Sequence, residues 1–102
     1  MAKNEKTSKN AWFVYYLRCA DNSLYAGITT DLTRRLIEHN TCNKLGAKYT
    51  RVRRPVCLVY AEHQENRQLA SKREYQLKKL SKVKKEALVN DFDLATFDSD
   101  KK

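Results

Sequence analysis

The stretch Trp12-Phe13-Val14-Tyr15-Tyr16-Leu17 constrains this chain more than any other, because an unbroken run of aromatic, β-branched and leucine residues reads as a strand. Ala20-Asp21-Asn22-Ser23 then supplies turn residues. Leu24-Tyr25-Ala26-Gly27-Ile28 resumes as a second strand, which makes the pair a β-hairpin. Thr30 or Asp31 can cap a helix over roughly 32–39, with Leu32 and Leu36 four apart on its inner stripe. Residues 40–55, with Gly46, Pro55 and a cluster of Thr and Asn, form a long loop containing a short strand or a helical turn. Val56-Cys57-Leu58-Val59-Tyr60 gives a third strand that alternates onward to Glu62. Asn66 caps a long helix to about Leu80, with Leu69, Ala70, Leu77 and Leu80 on one side. Ser81 caps a last helix carrying Val83, Ala87 and Leu88.

The order β-β-α-β-α-α predicts an α+β fold, a three-stranded and mostly antiparallel sheet flanked by helices. With 102 residues there is material for one core. The predicted organisation is a flexible basic arm over 1–10, a folded domain over 11–90, and an acidic, loosely ordered tail over 91–102.

Charge points to a partner. The +9 net charge lies within 11–90, where 16 Lys and Arg face 7 Asp and Glu, because the two ends cancel. A basic core of this kind favours a polyanion through counterion release, although solubility alone would also use it. Cys19, Cys42 and Cys57 are odd in number and widely spaced, which supports neither a disulfide framework nor a thiolate zinc site. The polar start MAKNEKTSKN has no apolar signal core, and no apolar run approaches membrane-spanning length. A cytoplasmic, monomeric protein with no membrane association is expected.

Several residues stand out for chemistry. Tyr15 and Tyr25 sit on paired strands, where their hydroxyls can converge. Gly27, in the middle of an apolar strand, marks a close approach by a ligand or another segment. Two core tyrosines and a bulge would read the same way. Asp31, Arg35 and His39 follow one another every four residues along one helix face. Arg forks onto phosphate oxygens and stays charged, so Arg35 with His39 suits phosphate and proton handling; an Asp31–Arg35 helical ion pair is the plainer alternative. Glu74 lies four residues after Ala70 and three before Leu77, so its carboxylate leaves the apolar side of the long helix and needs a cation. Arg35 or a hard divalent ion would serve equally. The loop residues Lys48, Tyr49, Thr50, Arg51, Arg53 and Arg54 form the best phosphate-contacting element, whereas the lysines at 78, 79, 82, 84 and 85 read as a solvated helical face.

Taken in order, these residues resemble the GIY-YIG nuclease superfamily. Phe13-Val14-Tyr15 stands at its first tripeptide and Tyr25-Ala26-Gly27 at its second, followed by Asp31-Leu32, Arg35 and His39. Ala47-Lys48-Tyr49-Thr50, Arg53-Arg54-Pro55, Leu58-Val59-Tyr60 and Arg73-Glu74-Tyr75 are similar to the small, single-domain bacterial (YhbQ-like) branch. The likeness covers about residues 11–90.

The resemblance implies a nuclease hydrolysing phosphodiester bonds, of DNA rather than RNA, with one Mg²⁺ or Mn²⁺ held by Glu74. Tyr15, Tyr25, Arg35, His39 and Glu74 would surround the scissile phosphate. Gly27, Lys48, Tyr49, Thr50, Arg51, Arg53 and Arg54 would contact nucleic acid. Tyr15 is the first choice to orient or deprotonate water, and His39 holds the place of an alternative base. Phe13 replaces the Gly of the first motif, Ala26 the Ile of the second, and Ile28 a Lys found in excision-repair members. For the family's late Asn the nearest residue is Asn90. A non-catalytic nucleic-acid-binding module and a catalytic subunit dependent on a protein partner are the competing readings.

Overall fold

The structure is a computed structural model describing residues 11–100. The basic arm expected over 1–10 lies outside the described residues. The elements run β1 (Trp12–Arg18), β2 (Leu24–Thr29), α1 (Leu32–Thr41), the single turn α2 (Lys48–Arg51), β3 (Cys57–Gln64), α3 (Arg67–Lys79), α4 (Lys82–Asp91) and α5 (Leu94–Asp100). The sheet order is β2-β1-β3, with both pairings antiparallel, so the α+β class expected from the element order is the class observed.

β1 is central, and its unbroken apolar run follows from that position, since both faces are covered. Phe13, Tyr15 and Leu17 point to one face, where Leu32 and Leu36 of α1 pack with Val56 and Ala61. Val14 and Tyr16 point to the other, against Ala70 and Leu77 of α3 and Leu88 and Val89 of α4. Tyr16 is buried with its hydroxyl donating to the Leu77 carbonyl at 2.7 Å, so α3 is tied to the sheet by a polar contact as well as by packing. Removing the buried Leu77 side chain would cost about 2–5 kcal/mol.

Local chemistry sets the ends of the elements. The hairpin turns through Asn22, which holds φ 71°, a left-handed conformation that Asn tolerates. Asp21 accepts hydrogen bonds from the Ser23 amide and hydroxyl. The caps fall where the sequence puts them: Asp31 accepts from the Arg34 amide, Asn66 from Leu69 and Ser81 from Lys84. Of the two options for residues 40–55, the helical turn is present, as α2. A bulge between the Tyr16–Tyr60 and Leu17–Leu58 pairs leaves Val59 as the extra residue of β3.

In the segment expected as an acidic, loosely ordered tail, α5 forms, and Phe97 stacks on His63 at 4.8 Å and meets Phe13 edge-on. The acidic residues obscured an aromatic pair, Phe92 and Phe97, that packs on the core. Val83 is 78% exposed, and the inner face of α4 is carried by Leu88 and Val89. Among the described residues, no helix is long and apolar enough to cross a membrane.

Candidate active site

β2 is an edge strand. Tyr15 pairs with Gly27 and Leu17 with Tyr25 across the β1–β2 ladder, so both tyrosines rise from the face that α1 covers. The Tyr15 ring lies on Gly27: a β-carbon there would sit 2.4 Å from the phenolic oxygen. The close approach marked by Gly27 is therefore made by Tyr15. Gly27, expected to contact nucleic acid, is buried beneath that ring.

From α1, the fully buried His39 faces both tyrosines. Its ring meets those of Tyr15 and Tyr25 edge-on, at 6.0 and 5.4 Å between centroids. Tyr15 Oη lies 2.9 Å from His39 Nε2, and His39 Nδ1 lies 2.8 Å from Thr50 Oγ1. Burial, with the positive charges of Arg35 and Arg54, lowers the His39 pKa to about 4 against the pull of Glu38, so the ring is neutral at pH 7. Burial likewise raises the Tyr15 phenol above its usual range, with Arg35 opposing the rise. Tyr25 is raised by burial too, moderated by Lys78 and Arg35 and pushed further by Glu74.

Arg35 stands beside this group. Its Nη1 donates to Glu38 at 2.8 Å and to the Leu45 carbonyl at 2.6 Å, and its charge bears on the Tyr15 phenol. The Asp31–Arg35 ion pair is not formed, because Asp31 turns its carboxylate to the helix N-terminus. A cavity of about 280 Å³ opens next to Arg35, lined by Trp12, Ile28, Thr29, Arg34 and Arg67.

Glu74 comes from α3, whose Ala70 and Leu77 pack on the opposite face of the sheet. Its charge nevertheless bears on both Tyr15 and Tyr25. Its ion-pair partner is not Arg35 but the solvent-side Lys78, 3.4 Å away. Among the described residues no group of three or more His, Cys, Asp or Glu gathers as a metal site. One carboxylate suits an ion that keeps most of its waters, such as Mg²⁺ or Mn²⁺, and does not suit zinc.

The basic loop divides into inward and outward residues. Thr50, expected to touch nucleic acid, is fully buried, with its hydroxyl also donating to the Ala47 carbonyl at 3.0 Å. Arg54, expected in the same role, is turned inward. It donates to the carbonyls of His39 and Cys42 and to the Asn43 side chain, closing the C-terminal end of α1 behind His39. Lys48 and Arg51 are exposed. Tyr49 stacks on Tyr25 at 5.7 Å, and the Arg53 guanidinium lies over the Tyr49 ring at 3.7 Å. No spacing in the sequence reveals Thr50 or Arg54 as supports of His39, which lies 11 and 15 residues away and meets them only through the loop's path.

Residues 11–87 match the family model of the GIY-YIG catalytic domain. The chain belongs to the GIY-YIG family. UPF0213 protein DP2720 of Desulfotalea psychrophila is 56% identical over 84 residues, covering 82% of this chain and 76% of that protein. UPF0213 protein YazA of Bacillus subtilis is 46% identical over 82 residues, covering 80% of this chain and 81% of its own. The solution structure of EF2693 from E. faecalis resembles this GIY-YIG fold with a TM-score of 0.51 at 43% identity, over 76% of this chain and 82% of that one. Membership places the chain in a family of nucleases.

Proposed function

We propose that this GIY-YIG protein is a divalent-metal-dependent nuclease that hydrolyses DNA phosphodiester bonds at a single-metal site. The observation that carries this reading is the cluster in which His39 meets both Tyr15 and Tyr25, in a chain that matches the GIY-YIG catalytic domain over residues 11–87. Glu74 would hold one Mg²⁺ or Mn²⁺, whose chemistry when bound is to polarise a phosphate oxygen and to stabilise charge on the leaving 3′ oxygen.

The chain's own residues do the rest. Arg35 neutralises charge that develops on the phosphoryl oxygens. Tyr15 positions the attacking water. As the water oxygen bonds to phosphorus and the bond to the 3′ oxygen breaks, the water proton passes to Tyr15 Oη and the Tyr15 proton passes to His39 Nε2. The 3′ oxygen takes a proton from solvent, leaving a 5′-phosphate and a 3′-hydroxyl. His39 returns its proton to solvent between turnovers, and its neutral resting state suits it to accept. Tyr25 packs the other side of His39 and, with Tyr49 and Arg53, forms the wall along which DNA would lie. Lys48 and Arg51 supply phosphate contacts. The domain works as a monomer in the cytosol, where its free thiols stay reduced.

The test is incubation of the purified protein with single-stranded, duplex and branched DNA in Mg²⁺, in Mn²⁺ and in chelator. Cleavage of at least one substrate that requires metal is expected. Binding without cleavage in any condition would instead identify a nucleic-acid-binding module.

A further inference from the structure

We infer that Thr50 is a positioning residue that fixes the tautomer of His39, holding the proton on Nδ1 and leaving Nε2 bare toward Tyr15. The assignment of the proton rests on geometry alone; its catalytic consequence rests on the nuclease reading above.

Thr50 Oγ1 has two polar neighbours, His39 Nδ1 at 2.8 Å and the Ala47 carbonyl oxygen at 3.0 Å. A hydroxyl carries one proton and a carbonyl only accepts, so the bond to Ala47 uses the Thr50 proton and turns an oxygen lone pair toward Nδ1. Nδ1 must then be protonated, and a neutral imidazole protonated there has an unprotonated Nε2.

The other end of the chain requires the same order. The buried Tyr15 hydroxyl meets His39 Nε2 at 2.9 Å, and no other acceptor bonds it among the described residues. His39 Nε2 is therefore the group that takes the Tyr15 proton. If Nε2 carried the hydrogen instead, the phenolic proton would lose the one acceptor it has among the described residues, a costly arrangement in a buried site. Donation runs one way, from Tyr15 to His39 to Thr50 to the carbonyl of Ala47. Arg54 steadies the line by bonding the His39 carbonyl at 2.6 Å.

This gives Thr50 a task that does not involve touching DNA. It aims the basic nitrogen at Tyr15 and leaves Nδ1–H bonded when Nε2 takes up a proton. Thr50 also lies between Tyr49 and Arg51 on α2, so the loop that faces DNA is the one that orients the base.

The experiment is long-range ¹⁵N–¹H NMR of the His39 ring in the full chain, for wild type, Thr50→Val and Thr50→Ser, with single-turnover cleavage of labelled DNA run in parallel. Wild type and Thr50→Ser should show Nδ1–H with a bare Nε2. Thr50→Val, which replaces the hydroxyl with a methyl, should shift His39 toward the Nε2–H form. It should also lower the single-turnover rate about 10- to 100-fold without weakening DNA binding, with the serine variant recovering most of the rate. An Nε2–H tautomer in wild type, or an unchanged tautomer in folded Thr50→Val, overturns the inference. Should the tautomers behave as stated while no form cleaves DNA, the nuclease reading fails and the role of Thr50 in setting the tautomer stands.

Discussion

The phenol of Tyr15 occupies the space where a side chain at Gly27 would be, with its oxygen 2.4 Å and its ring carbon Cζ 2.6 Å from that missing β-carbon. One residue's lack of a side chain thus sets where the other's hydroxyl can lie. Tyr15 is 2% exposed and held between β2 and α1, so its rigid ring cannot yield by rotating a flexible end. Gly27→Ala should therefore lower stability by about 1–3 kcal/mol and break the alignment of Tyr15 with His39. Urea unfolding measures the first effect, and the single-turnover rate measures the second.

His39 gives the protein a pH dependence of known sign. Its folded pKa of about 4 is below the 6.5 of an unfolded histidine. The unfolded chain therefore binds the extra proton first, and stability falls as pH drops from about 6.5 toward 4. Burial is the main cause, with Arg35 and Arg54 adding to it and Glu38 opposing it. Between pH 7 and 5 the loss should be about 2 kcal/mol, at 1.4 kcal/mol per pH unit below the unfolded pKa. Denaturant titrations at a series of pH values should show that slope in wild type and a flatter one in His39→Gln.

Tyr15→Phe and His39→Gln act on one proton path. Each should reduce kcat about 10²-fold or more, and the double variant should be little slower than the worse single one. Independent, multiplying effects in single-turnover assays would separate the two residues.

The basic loop should divide in solution as it does in the structure. Arg54→Ala removes three hydrogen bonds around the end of α1 and should cost about 1–3 kcal/mol of stability. Lys48→Ala and Arg51→Ala should leave the melting point nearly unchanged. Each should weaken DNA binding and reduce the slope of log K against log salt by about one. Fluorescence anisotropy over a salt series, beside thermal melts, checks both halves.

What the sequence disclosed, and what it did not, follows from the range of each interaction. Hairpin, caps and helices depend on neighbours within a few residues, so Asp31, Asn66 and Ser81 were readable as the starts of helices. Tyr15, Tyr25, Arg35, His39 and Glu74 stood out through motif order, and the placing of Tyr15 and Tyr25 on one face needed only the right strand pairing. At Thr50 and Arg54 the inward turn was not legible, because a charged or hydroxylated loop residue looks the same whether it faces DNA or a helix end. Only the return of the chain past α1 decides which. Phe92 and Phe97 were masked by their acidic neighbours, since a chain segment can place charges in water and still bury two rings.

The central claim is that Glu74 is the metal ligand of a phosphodiesterase. Single-turnover cleavage of labelled DNA in Mg²⁺ or Mn²⁺ by wild type and Glu74→Gln, with DNA affinity measured for both, tests it most directly. The account predicts metal-dependent cleavage by wild type, a rate at least about 10²-fold lower in the variant, and near-equal DNA binding. Equal cleavage by Glu74→Gln, or undiminished wild-type cleavage in chelator, would contradict it.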